Sequence, residues 1–362
     1  MPHPSVRQDP GEIVSAVGLN PSSEPLDSQG PRCLVVMYHY VHDGDPLDEA
    51  GGSKGRQGVR GLTEAGFRAQ LGRLCDLLEP TDWPSLYAWR HGRGTIPPRS
   101  FLLTFDDGLA DHARTVLPIL KDRGLRGVFF VPGAILTTHR MLSAHAIHLL
   151  LSRLSDRELI AEFRQYLLQQ SAEGQWLAKL DAIMGEPDGR SDSAAQAMYD
   201  YETPIRARLK HWLTMTLPIE LRVSAVHTLF ERHVGSSARW ARHWYLGWDD
   251  LVELQFCGHT IGGHGFIHEA YSRLTAAQRR QDVLRVSTVL SQGLGTDLRP
   301  FSFPYGSLGG DLESNLRDAG FPHAFSTESR WLGTGDNLNG LPRVDTIHVE
   351  AALNEEMACS RA

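Results

Sequence analysis

The stretch that most constrains this chain is Phe101 to Gly108, FLLTFDDG. Phe101, Leu102, Leu103 and Phe105 form an apolar run interrupted only by Thr104, and a strand without strict alternation is one buried on both faces, as in a parallel α/β sheet or barrel. The run ends in two adjacent carboxylates, Asp106 and Asp107, and a glycine. Neighbouring carboxylates repel, so a buried strand end keeps both ionised only with a cation or a proton between them. The pair is a candidate site, against the plainer reading in which Asp-Gly closes a turn.

The surrounding pattern fixes the fold class. Asp111 to Arg123 has helical character and is stopped by Gly124, and VFFV (Val128 to Val131) follows as a strand, so the segment is a βαβ unit with parallel pairing. CLVVMY (Cys33 to Tyr38) is an earlier strand with His39 at its polar end. Strands near residues 34, 102, 128, 261, 301, 324 and 345 bring the count to about seven, which predicts an α/β fold of the incomplete (β/α) barrel type. From residue 134 to 244 apolar positions recur at helical spacing, as in Ala144 to Leu154, Glu158 to Gln169 and Pro218 to His233, with a Gly/Pro/Asp break from Gly185 to Ser193. This predicts a large all-helical insertion whose Trp176, His211, Trp212 and Trp240 pack or line a channel, packing being the commoner use of such residues. The expected organisation is a disordered tail over 1–31, barrel over 32–133, insertion over 134–244, barrel again over 245–350, and a C-terminal tail over 351–362. Gly44 to Gly61 reads as a mobile loop able to cover a site.

Composition excludes some functions. A net charge of -7 over 362 residues argues against a nucleic-acid partner held by bulk electrostatics. Cys33, Cys75, Cys257 and Cys359 form no CxxC, so neither a zinc ribbon nor a redox pair is suggested, and a reducing compartment suits them. The first residues lack a basic start followed by an apolar core, and no run approaches the about 18 apolar residues of a membrane span. The expectation is a cytoplasmic protein acting on a substrate available there.

A second chemistry-bearing stretch is GHTIGGHGFIH, Gly258 to His268. His264 and His268 stand four apart, a spacing that would put both imidazoles on one side of a helical turn. One carboxylate plus two imidazoles is a three-ligand set that leaves a position open for water, as catalytic metal sites do, and a second carboxylate nearby can take a proton. Thr275 with Gln278 is a capping box opening a long helix.

At these residues the chain resembles the polysaccharide deacetylases, the NodB-homology or carbohydrate esterase 4 family. TFDDG (Thr104 to Gly108), GHTIGGHGFIH and FSFPYG (Phe301 to Gly306) are similar to its first three motifs, and VVMYHYV (Val35 to Val41) resembles a strand near the start of such domains. The resemblance spans about residues 32 to 133 and 245 to 349. It implies a deformed (β/α) barrel, Asp106 as general base, and a divalent metal, zinc before cobalt or nickel, held by Asp107, His264 and His268. It further implies the Tyr305 backbone N–H as oxyanion donor. His348, in DTIHV, is the candidate general acid, against the reading of an ordinary strand-end histidine. The family's arginine two residues before Pro-Tyr is Ser302 here, so Arg299 or Arg343 must orient the base if either does. Gly265 stands where a hydroxyl residue is usual. His39 and His259 are candidates for groups that brace a site residue or touch substrate.

The resulting expectation is removal of acetyl from an N-acetylated carbohydrate, a cytoplasmic nucleotide- or lipid-linked precursor before a mature polymer, or from a small N-acyl compound. Two rivals remain: a cyclic imide or ureide hydrolase of the same fold, and a carbohydrate-binding protein without turnover.

Overall fold

The computed structural model describes residues 30–43, 58–170, 174–185, 193–295, 298–308 and 312–359. Residues 1–29 of the expected tail, 44–57 of the expected mobile loop and 186–192 of the Gly185 to Ser193 break lie outside them. In chain order the first half runs β1 (Arg32–Tyr38), α1 (Glu64–Leu77), β2 (Glu79–Pro80), α2 (Trp83–Arg90), β3 (Arg99–Phe105), a π-helical turn (His112–Val116) leading into α3 (Leu117–Arg123), and β4 (Gly127–Val131). Short α4 (Gly133–Thr137) precedes a helical stretch of α5 (Ser143–Arg153), α6 (Asp156–Gln169), α7 (Gly174–Gly185), α8 (Ser193–Met198), α9 (Pro204–His211), α10 (Ile219–His233) and α11 (Ser237–Trp244). The α/β alternation returns with α12 (Trp248–Phe256), β5 (Thr260–Gly263), α13 (Ala276–Leu294), β6 (Phe301–Ser302), α14 (Leu312–Asp318), β7 (Ala324–Phe325), β8 (Val344–Asp345) and α15 (Val349–Cys359).

The strands run parallel in the order β7-β6-β5-β4-β3-β1-β8, with β2 added beside β3. This is the deformed, incomplete barrel, and its seven-strand path takes its members from the seven apolar runs of the sequence. β3 is central and has Leu34↔Phe101 and Tyr38↔Phe105 in register with β1. Both faces of β3 are covered, which explains its unbroken apolar character. Leu102 belongs to an inner cluster with Val35, Val128, Phe130 and Phe325, whereas Phe101, Leu103 and Phe105 face the helices. The same periodicity of two sends Leu102, Thr104 and Asp106 to the barrel interior.

Local signals place the helices. Thr63 caps α1, Ser155 and Thr275 close capping boxes on α6 and α13, and Gly124 ends α3 in the left-handed conformation at φ 64°. The helices between β4 and β5 are not a separate core: Phe163, Leu213 and Leu229 belong to one apolar cluster with Phe105 and Phe129 of the barrel. Trp212 is buried against Phe163, while Trp176 and Trp240 pack at the edge of that cluster, so these tryptophans serve packing. The C-terminal stretch, expected to be a tail, forms α15: Val349 and Leu353 are buried, and Glu356 pairs with Arg32 at the start of β1. Among the described residues no helix is long and apolar enough to cross a membrane.

Candidate active site

Asp106 and Asp107 follow the C-terminal end of β3 and are separated by a backbone reversal. Asp107 has φ 77°, a left-handed value that non-glycine residues rarely adopt, and this turns its carboxylate away from that of Asp106. Among the described residues, three of the four non-glycine residues with positive φ, Asp107, His268 and Tyr305, belong to this site. Backbone strain is concentrated where the side chains must converge.

Asp106 lies inside the barrel, 2% exposed, gripped by Arg343, which is itself 1% exposed. Arg343 Nη1 and Nη2 each donate at 2.7 Å, one to Oδ1 and one to Oδ2, and Nη2 also donates to Ser302 Oγ, which in turn donates to Oδ2 at 3.2 Å. Burial alone would raise this carboxyl, but the Arg343 charge, helped by His264, holds it at about 2. Arg343 thus occupies, from the start of β8, the orienting role that Ser302 cannot fill alone. Arg299 is used elsewhere: its guanidinium donates to the carbonyls of Ile261, Leu294 and Gly295.

Asp107, His264 and His268 offer one ligand atom each, all within 4.8 Å of one another and all buried. Asp107 Oδ1 is 2.9 Å from His268 Nε2 and 3.3 Å from His264 Nε2, yet it takes part in no hydrogen bond of acceptable geometry. These atoms converge on a common point rather than on each other. His264 Nδ1 meets the Ser302 carbonyl at 2.8 Å, and a carbonyl only accepts, so Nδ1 carries the hydrogen and the neutral ring turns a lone pair at Nε2 toward the site. The Asp107 oxygen and the His264 lone pair facing one another, with His268 Nε2 beside them, are complementary to a cation, and the donor set is one that zinc favours. Burial would raise the Asp107 carboxyl, but His268 and His145 hold it well below the usual range.

The histidine pair does not reach this geometry through a helical turn. His264 leaves the end of β5 with its N–H on Val131 O, and the following loop brings His268 back so that the two rings lie 5.0 Å apart. Gly265 makes the loop possible: its φ is 66°, and a Cβ there would stand 2.9 Å from Asp282 Oδ2. Asp282, on α13, replaces the missing hydroxyl as a brace. Its carboxylate accepts from Phe266 N–H (2.8 Å), Ile267 N–H (3.0 Å) and the Tyr271 hydroxyl (2.7 Å).

Tyr305 lies beside the triad, its ring 5.1 Å from that of His268 and its backbone in the left-handed region at φ 58°. His348 is not brought to the group. It lies on a surface 3-10 turn, half-exposed, with Nε2 3.4 Å from Asp200 Oδ2. His259 is also remote in role, since its Nδ1 accepts the N–H of Gly127 where β4 begins. His39 does belong here: it is half-buried and directly follows Tyr38, which is in register with Phe105 and whose carbonyl accepts the Asp106 N–H. Sequence reasoning misses His145 altogether. Its Nε2 lies 3.0 Å from Asp107 Oδ2, yet it sits in an ordinary apolar helix pattern that gives no signal of a site.

A parallel barrel bearing a clamped carboxylate beside a carboxylate-and-two-imidazole cluster at its strand ends is an arrangement suited to hydrolysis. The chain belongs to the polysaccharide deacetylase family, whose model matches residues 93–166 and 220–324, and membership makes it a hydrolase of non-peptide carbon–nitrogen bonds. Family members act on N-acetylated carbohydrates and are in general dependent on a divalent metal. In fold the chain is similar to IcaB from Ammonifex degensii, at 16% identity over 92% of this chain and 99% of that one, with a TM-score of 0.52. It is also similar to the Streptococcus pyogenes deacetylase PplD, solved in complex with acetate, at 12% identity over 91% and 99%, with a TM-score of 0.53. No curated protein matches in sequence.

Proposed function

We propose that this chain removes the acetyl group from an N-acetylated sugar with the help of a divalent cation, zinc before cobalt or nickel. The observation that carries the reading is the division of labour between neighbouring carboxylates, one clamped by Arg343 and one converging with two imidazoles. A cation held by Asp107, His264 and His268 would supply Lewis acidity, polarising the acetyl carbonyl and making water a better nucleophile. Asp106 accepts the proton of the attacking water through a lone pair that Arg343 leaves free, since an ionised carboxylate has about four acceptor positions. The Tyr305 N–H faces the developing oxyanion. The departing amine needs a proton, and we assign its delivery to His39, the half-buried imidazole on the base side, in place of His348.

The test is acetate release by the purified chain, loaded with zinc, cobalt or nickel, from free, nucleotide-linked and lipid-linked N-acetylated sugars. Asp106→Asn should lower kcat by about 10²- to 10⁴-fold while metal content stays at the wild-type level. His39→Gln should slow acetamide cleavage far more than cleavage of 4-nitrophenyl acetate, whose leaving group needs no proton. Turnover of succinimide-like or allantoin-like rings without acetate release would overturn the substrate assignment. Absence of turnover on every N-acyl compound would leave only a binding role.

A further inference from the structure

The helical stretch between β4 and β5 touches the strand-end carboxylates from both of its ends. After α11, Leu246 N–H donates to Gly108 O and Ala110 N–H donates to Trp244 O, each at 2.9 Å, and Tyr245 bridges to Leu109. The residues immediately following Asp107 are therefore strapped to the end of the helical stretch. From its beginning, the first turn of α5 delivers His145, 1% exposed, with Nε2 3.0 Å from Asp107 Oδ2 and Nδ1 2.7 Å from the Tyr245 hydroxyl. The two ends thus meet each other at the same carboxylate.

The hydrogens along this chain of contacts are assigned by elimination. Leu142 N–H lies 3.0 Å from the Tyr245 hydroxyl and can only donate, so the phenol oxygen accepts from it. An ionised carboxylate only accepts, so His145 Nε2 carries the hydrogen that meets Asp107 Oδ2. The neutral imidazole then has its lone pair at Nδ1, where the Tyr245 O–H donates. Every donor has one acceptor, and the direction runs from the Leu142 backbone to Asp107.

We infer that His145 is a positioning residue of the metal centre, oriented by Tyr245, which holds Asp107 Oδ2 so that Oδ1 alone turns toward His264 and His268. A bound cation would then meet Asp107 through one oxygen, with the other kept on His145. The helical stretch is by this account a working part of the centre as well as a wall around it. The inference rests on the metal reading given under Proposed function.

The experiment is a titration of the full-length chain and three variants with Co²⁺. Chelator competition would measure affinity, and visible absorption would report the number of ligands. Wild type should bind one equivalent. His145→Phe, which keeps a flat ring but cannot donate, should bind about 10- to 100-fold more weakly, as loss of a hydrogen bond to a ligand commonly does, with a changed absorption intensity as Oδ2 swings in. His145→Gln, whose amide can donate to Oδ2, should restore the wild-type affinity and spectrum, and Tyr245→Phe should fall between. Wild-type affinity and spectrum in His145→Phe would overturn the inference alone, as would a Gln variant as weak as the Phe one. If His145→Phe does not fold, an unchanged spectrum and affinity in Tyr245→Phe overturns it equally. A wild-type chain that binds no Co²⁺ sinks the metal reading and this inference with it.

Discussion

Arg343 places a permanent charge inside a largely apolar barrel lumen, its guanidinium 5.5 Å from the ring of Phe130 and 5.9 Å from that of Phe325. Asp106 is the carboxylate that balances it, and removing one partner of a buried pair leaves an uncompensated charge, which costs about 3–5 kcal/mol. Arg343→Met should lower the free energy of unfolding by that order, measured in urea, and abolish acetate release. Arg343→Lys keeps the charge but not the two-pronged grip, so it should recover part of the stability and little of the activity. The pairing joins residues 237 apart in the chain, and no spacing rule marks Arg343 above Arg299 as the partner. The proposed ligand set is different. Asp107, His264 and His268 lie in two short motifs, each adjoining a strand end, and that adjacency is legible in the sequence.

At the scale of elements, the loop from His264 to His268 is held by a helix that contributes no residue to the Asp107, His264 and His268 cluster. Asp282 on α13 gathers the N–H groups of Phe266 and Ile267 and the Tyr271 hydroxyl, and this fixes the two histidines on either side. Asp282→Ala should leave those two amides without acceptors, lower the unfolding free energy by on the order of 3 kcal/mol, and weaken Co²⁺ binding without removing a ligand. Hydrogen exchange at Phe266 and Ile267 should accelerate in that variant; unchanged protection would show that the loop is held by something else. The Thr275–Gln278 box that opens α13 is readable from sequence, but the reach of Asp282 to residues 15 and 16 earlier is not, because it depends on how α13 packs against β5. The four-residue histidine spacing similarly suggests a helix when taken alone. The left-handed turns at Gly265 and His268 decide otherwise.

Taken as a whole, the molecule buries several imidazoles outside the proposed chemistry. Burial holds His112, His259 and His323 at about 4, below the ordinary 6.5 that each regains on unfolding. The unfolded chain therefore binds more protons between pH 6.5 and 4, so stability is greatest above that window and falls as pH drops through it. His323 packs among the rings of Trp83, Tyr87 and His91 at 5.7, 5.3 and 5.0 Å, and neither of its ring nitrogens has a hydrogen-bond partner among the described residues. His323→Phe should keep that packing and remove one titrating group. The urea midpoint of this variant should fall less steeply than that of wild type from pH 7 to pH 5. Parallel slopes would show that His323 does not contribute to the acid sensitivity.

By itself the sequence determines the parallel barrel, its buried strand β3 and the two short motifs that carry Asp107, His264 and His268. Apolar runs, capping boxes and motif spacing are local patterns, and each reports on residues within a turn or a strand of itself. Tertiary structure alone decides that Arg343 rather than Arg299 grips Asp106, that His348 stays at the surface, and that His145 enters from a helix far from either motif. Those outcomes depend on barrel curvature and on how the helices between β4 and β5 dock against the strand ends. Both are set by burial of apolar area summed over the whole core, a quantity no short stretch of chain encodes.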